Sequence, residues 1–325
     1  MSFAAADSAA SDRGAEKRRY FEFHSHCGLN LHHFLYWKAH PHSRKSGPVA
    51  QWPAALTEEE RQVVEEAIDY YRQAFEGEDL LFGEALHAIK RQLIRHDGGA
   101  SFDGLGLEPR HAAVLAKVQP VYRWHLWPAH QASNRRWIEH TAREVSRWGD
   151  AIAGRLEALY GDPFPPTPIR LDVVVEGHWA GAYTSIEPVH IVVASTRADY
   201  QGKGALEMVF HEASHGILGP GRGTVIEELR QAFAEQGQPT PRNLWHALLF
   251  YTTGRVTQDL YRREGLGPYE PYAHANGLYR RAWGTFLPVL EEDWQAYLDG
   301  EASLHQAAQQ MAARLAEADA SPTGD

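Results

Sequence analysis

The sequence predicts an α+β protein, mainly helical, in which a small mixed or antiparallel sheet precedes a helix carrying the pattern H-E-x-x-H. Three observations predict it. Apolar residues recur at helical spacing through most of the stretch up to residue 160. Residues 169–175 alternate apolar and polar side chains, and 189–194 (VHIVVA) form a short apolar run, as strands do. Residues 211–215 read His-Glu-Ala-Ser-His inside an otherwise apolar helical segment.

Taken in order, residues 1–20 are Ala/Ser-rich and polar and are expected to form a disordered tail. Phe21 to His42 packs histidines 24, 26, 32, 33, 40 and 42 among aromatic residues. Their rings either pack against the core and water or line a cleft and bind metal. A separation of two puts His24 and His26 on one face of a strand, and Asn30 is placed to cap a short helix through Phe34 and Tyr36. Thr57 followed by Glu60 is a capping-box pattern that opens a helix over about 57–75. Leu80 to Ile94 continues helically until Asp97-Gly98-Gly99. Pro109 begins a further helix, and residues 130–160 make a longer one.

Residues 21–160 thus read as a mainly helical part. Gly161-Asp162-Pro163 marks the boundary to a second part, 161–318, which holds the strands, the H-E-x-x-H segment and C-terminal helices, with a tail at 319–325. Gly177 to Pro188 is a turn-rich connection between the two strands. Pro288 is expected to interrupt the helical pattern of Leu278 to Leu298. The ten tryptophans are the usual material of core packing, more so than a sugar platform.

Of the 325 residues, 43% are apolar and 23% charged, which is ordinary globular usage. The net charge of −10 argues against a polyanion binder, so no nucleic-acid partner is expected. No stretch approaches the roughly 20 apolar residues needed to span a bilayer, and the start lacks a secretory apolar run. A soluble, cytoplasmic protein without a membrane partner is the expectation. The single cysteine, Cys27, has no internal disulfide partner and reads as a small buried apolar group.

The chemistry is concentrated in residues 211–215. Side chains four apart lie one turn up a helix and nearly on the same face, so His211 and His215 can aim their imidazoles at one point. Zinc accepts nitrogen donors, and a catalytic site holds it by three protein ligands with a water whose pKa falls to about 7. Glu212 stands beside that water as a general base for attack on a carbonyl. Leu206, Val209, Phe210, Ala213 and Ile217 supply a core-facing stripe, and Gly219-Pro220-Gly221 stops the helix.

On HEASH and the strand that precedes it, the chain resembles the zincin superfamily of metallopeptidases, with a gluzincin-like layout. The resemblance implies a Zn²⁺ cofactor and places residues 187–194 on the substrate-binding edge of the sheet, where an extended peptide pairs. The longer metzincin signature is missing, because Gly219-Pro220-Gly221-Arg222 follows the motif, and the exopeptidase signature G-x-M-E-N is absent. Segments LWHALLFYTTG and PYEPYAHANGLYRRAW are also similar to uncharacterised bacterial proteins that carry H-E-x-x-H.

The third ligand is expected at His246, a single imidazole in the apolar stretch NLWHALLFYTTG, with Glu228 as the alternative. Glu227 is expected to be used up in a capping box with Thr224. Tyr251, Tyr272 and His274 are candidates to stabilise an oxyanion. The expected activity is zinc-dependent hydrolysis of a peptide, or of another amide or ester. The rival readings are a non-catalytic zinc-binding or interaction module and a helical scaffold whose HEASH is accidental.

Overall fold

A computed structural model describes residues 18–40, 52–53, 55–95, 101–177 and 179–320. The expected turn at 97–99, His42, the C-terminal tail beyond 320 and most of the N-terminal tail lie outside these residues. Tyr20, at the end of the expected tail, is buried with its ring against Phe164 and Phe210.

The fold is α+β and mainly helical, with one mixed sheet of four strands. The strands are β1 (Phe21–His24), β2 (Ile169–Val174), β3 (Ala182–Ser185) and β4 (His190–Ala194), in the spatial order β1-β2-β4-β3. β1, β2 and β4 run parallel, and β3 pairs antiparallel with β4.

Two expectations are corrected here. The turn-rich connection holds a strand, β3, whose four residues are too few to show alternation between flanking turns. The run at 190–194 is an inner strand hydrogen-bonded on both sides, so the edge strand on this side of the sheet is β3 and not residues 187–194.

Helices cover both faces of the sheet. On one side lie α1 (Cys27–Ala39), α2 (Glu58–Ala74), α3 (Glu84–Leu93) and α4 (Pro109–His125), packed over Val174, Tyr183 and Val192. On the other, Leu171, Val173, Ile191 and Val193 meet α5 (Trp127–Tyr160), α6 (Lys203–Ser214), α7 (Thr224–Glu235) and α8 (Leu244–Arg263). The chain then passes through α9 (Tyr272–Ala275), α10 (Leu287–Val289), α11 (Gln295–Asp299) and α12 (Leu304–Ala320). Wide π-helical turns at Tyr279–Trp283 and Leu290–Trp294 flank α10, where Pro288 denies the helix a backbone donor. Among the described residues no helix is long and apolar enough to cross a membrane.

Local chemistry explains most element ends. The Thr57 hydroxyl accepts from Glu60 N while Glu60 accepts from Thr57 N, completing the expected capping box of α2. α5 stops at Gly161, whose φ of 70° suits glycine. α1 differs from expectation, because His26 caps it through Nδ1, which accepts from Leu29 N at 3.2 Å. Asn30 lies inside the helix, where its Oδ1 accepts from Val175 N at 3.0 Å and its Nδ2 donates to Val173 O at 3.2 Å. The amide thereby satisfies backbone groups at the buried end of β2, a use that helix spacing alone does not show. His26 is therefore not on a strand face with His24, which ends β1.

α7 also departs from its expected start. Gly223 precedes it with no side-chain cap, and Thr224 is already helical. The Thr224 N–H is instead bound by Asp162 Oδ2 at 2.7 Å, which leaves Glu227 without the capping-box role.

Candidate metal centre

α6 is buried from Ala205 to Ser214, all but its first two residues, between the sheet, α5 and α8. His211 and Glu212 lie in its last turn and His215 follows as the capping residue. His246 sits in the first turn of α8, which packs across α6. Ligand-capable nitrogens of His211, His215 and His246 all lie within 4.8 Å of one another. The ring centroids are 5.0, 5.5 and 5.1 Å apart for the pairs 211–215, 211–246 and 215–246. Among the described residues no other group of three His, Cys, Asp or Glu meets this condition.

The donor set fits a divalent ion such as zinc. Burial pushes the pKa of each imidazole below its ordinary value, that of His246 to about 4, so all three are neutral, as metal ligands must be. His211 Nδ1 is buried without a hydrogen-bond partner, an expense that the surrounding protein leaves unrelieved.

Glu212 is 5% exposed. The Thr184 hydroxyl lies 2.6 Å from Glu212 Oε2 and 3.0 Å from the Glu212 carbonyl oxygen. Burial raises the carboxyl pKa to about 7, and the Thr184 contact opposes that rise. A carboxylate with a pKa near neutrality is suited to taking and returning a proton.

Aromatic rings fix the imidazoles. Phe250, one turn after His246 on α8, stacks on His211 at 3.7 Å, and Tyr272 stacks on Phe250 at 5.7 Å. Trp245 stacks on His246 at 4.8 Å and meets His215 edge-on at 5.6 Å. Trp283 stands 5.4 Å from His246. His215, Trp245, His246 and Trp283 are only half-buried, so the site opens to solvent on this side.

The sequence-predicted residues separate clearly. Glu228 is turned to the His305 ring, 2.6 Å from Nδ1, and takes no part in the triad. The Tyr251 hydroxyl donates to Gln295 Oε1 at 2.9 Å, and His274 packs on Tyr251 and Tyr279. Of the three oxyanion candidates, Tyr272 comes nearest the triad, through Phe250. The N-terminal histidines go elsewhere: His32 Nδ1 is 2.8 Å from Tyr71 Oη, and His33 bridges Leu29 O and Tyr183 Oη, both beneath the opposite face of the sheet.

Thr184, Trp245, Phe250 and Trp283 were not singled out as site residues. Phe250 carried a usable signal, since it follows His246 by four on one helix face. Thr184 carried none until the pairing of β3 was known. No protein-family model, curated protein or solved structure matches the chain.

Proposed function

We propose that the protein is a zinc-dependent hydrolase, and specifically a metallopeptidase, with His211, His215 and His246 as the metal ligands. The observation that supports this most is the convergence of three neutral imidazoles within 4.8 Å, two of them borne by the chain segment that carries the buried carboxyl of Glu212 between them. A zinc ion held there supplies Lewis acidity and makes water a nucleophile near neutral pH.

The chain's own residues supply the rest. Glu212 takes the proton of the attacking water and returns it to the leaving amine, and the Thr184 hydroxyl orients Oε2 for both transfers. Burial of Glu212 keeps its proton affinity high enough for this exchange. Phe250 and Trp245 hold the His211 and His246 rings in their orientations.

A peptide substrate is favoured by the sheet edge. β3 has β4 as its one sheet neighbour among the described residues, and Thr184 ties it to Glu212. An extended chain adding at the half-buried Ser185 end of that edge pairs with the strand that Thr184 ties to the general base. The expected cytoplasmic setting enters the proposal on the same footing. The test is hydrolysis of a broad peptide panel by the native protein and by Glu212→Gln. Loss of cleavage with zinc retained supports the peptidase. Zinc binding without cleavage by the native protein, across amide and ester panels, favours a non-catalytic metal module.

A further inference from the structure

The face of the sheet turned away from the triad carries a second polar constellation. Side chains alternate along a strand, so with Thr184 turned to Glu212, Tyr183 and Ser185 point to the other face. The register sets Ser185 opposite His190 and His190 opposite Arg170, a cross-strand row that ends at the edge strand. Asp172 accepts from His190 Nε2 at 2.9 Å and from Arg170 Nε at 2.6 Å. His190 is 4% exposed, and its Nδ1 is buried without a hydrogen-bond partner.

Lys90 reaches this row from α3. It is 1% exposed, with Nζ 2.8 Å from Ser185 Oγ and 4.6 Å from the centroid of the Tyr183 ring. Among the described residues no carboxylate forms an ion pair with it, although burying an ammonium without one is costly. Burial accordingly lowers the amine to about 7, with Asp172 opposing the fall and Arg91 adding to it. An amine that sheds its proton near neutral pH, with Nζ hydrogen-bonded to a half-buried serine at a strand edge, is an arrangement for activating that serine.

We propose that Ser185 is a nucleophile towards acyl groups, with Lys90 as its general base, and that its substrates are esters or amides whose carbonyl reaches Ser185, the half-buried end residue of β3. Lys90 Nζ takes the hydroxyl proton as Ser185 Oγ bonds to the carbonyl carbon. The tetrahedral adduct then expels the alcohol or amine, which leaves with the proton from Lys90. Water, deprotonated by the same amine, cleaves the acyl-serine and restores the hydroxyl. This inference does not depend on a metal at the triad.

A fluorophosphonate probe tests it on the full-length native protein, with the adduct mapped by mass spectrometry. Attack by Ser185 Oγ displaces fluoride and leaves a phosphonyl group on that residue. Labelling of Ser185 is expected, with its rate rising from about pH 6 to about pH 8 as the amine loses its proton. The titratable or charged groups facing Lys90 are Asp172, His190, Tyr183, His33, His87 and Arg91. Ser185→Ala should remove the label, and Lys90→Met should slow it by about 100-fold. Absence of label on Ser185, a rate independent of pH, or a native rate in folded Lys90→Met overturns the proposal. The first two readouts need no substitution.

Discussion

The Thr184 hydroxyl oxygen lies 2.6 Å from Glu212 Oε2, which joins the edge strand of the sheet to the last turn of the motif helix. The contact fixes a carboxyl with a raised pKa on the helix that carries His211, between His211 and His215 in the chain. Removal of the hydroxyl with little change of shape isolates its contribution. Thr184→Val is expected to retain zinc and to lower kcat on a cleaved peptide by about tenfold, the loss of roughly 1.4 kcal/mol. Steady-state kinetics with metal analysis checks this, and an unchanged kcat removes Thr184 from the account.

His246 and Glu228 make opposite predictions. His246→Ala removes a ligand and should weaken zinc binding by at least about 100-fold, beyond the range seen for partners behind a ligand. Glu228→Gln leaves the affinity unchanged, because Glu228 is engaged with His305 at the protein surface. Competition with a chromophoric chelator measures both. A large loss with Glu228→Gln and none with His246→Ala would reverse the assignment.

Buried imidazoles set the acid limit of stability. Burial lowers His33, His111 and His130 to about 4 each. Their unfolded pKa is about 6.5, so between about pH 6.5 and about pH 4 the unfolded chain binds more protons than the folded one. The stability carried by these neutral rings is complete above about pH 6.5 and falls as the pH drops towards about 4. Urea midpoints of metal-free protein should decline through that window. A flat profile there contradicts the burial of these rings.

Gly254 on α8 lies close against the segment leading to Tyr272. A Cβ at this position would stand 2.7 Å from Pro271 Cβ and 3.3 Å from Glu207 Oε1. Glu207, fully buried on α6, holds the same segment by accepting from Tyr272 N at 3.1 Å and from Tyr269 Oη. Gly254→Ala is therefore expected to destabilise the fold by about 1–3 kcal/mol, the usual cost of overpacking. Chemical denaturation reads the loss, and a neutral outcome means that Pro271 yields freely.

What the sequence disclosed follows from how local each signal is. The motif helix and the convergence of the His211 and His215 rings are properties of one helix, so they could be read directly. His246 was legible because one imidazole among Leu, Trp and Phe asks for a partner. Thr184 and the edge position of β3 depend on which strands pair, and four residues between turns do not encode that visibly. β1 was hidden likewise, since its partner β2 lies far along the chain. Asn30 and Thr224 looked like caps because their residue types favour that role, yet a strand end and Asp162 determined where they sit.

Metal content of the purified protein is the most direct measurement of the central claim. Elemental analysis after reconstitution should find about one zinc ion per chain, lost in His211→Ala. Near-zero zinc in folded native protein would contradict the metal centre and with it the hydrolase.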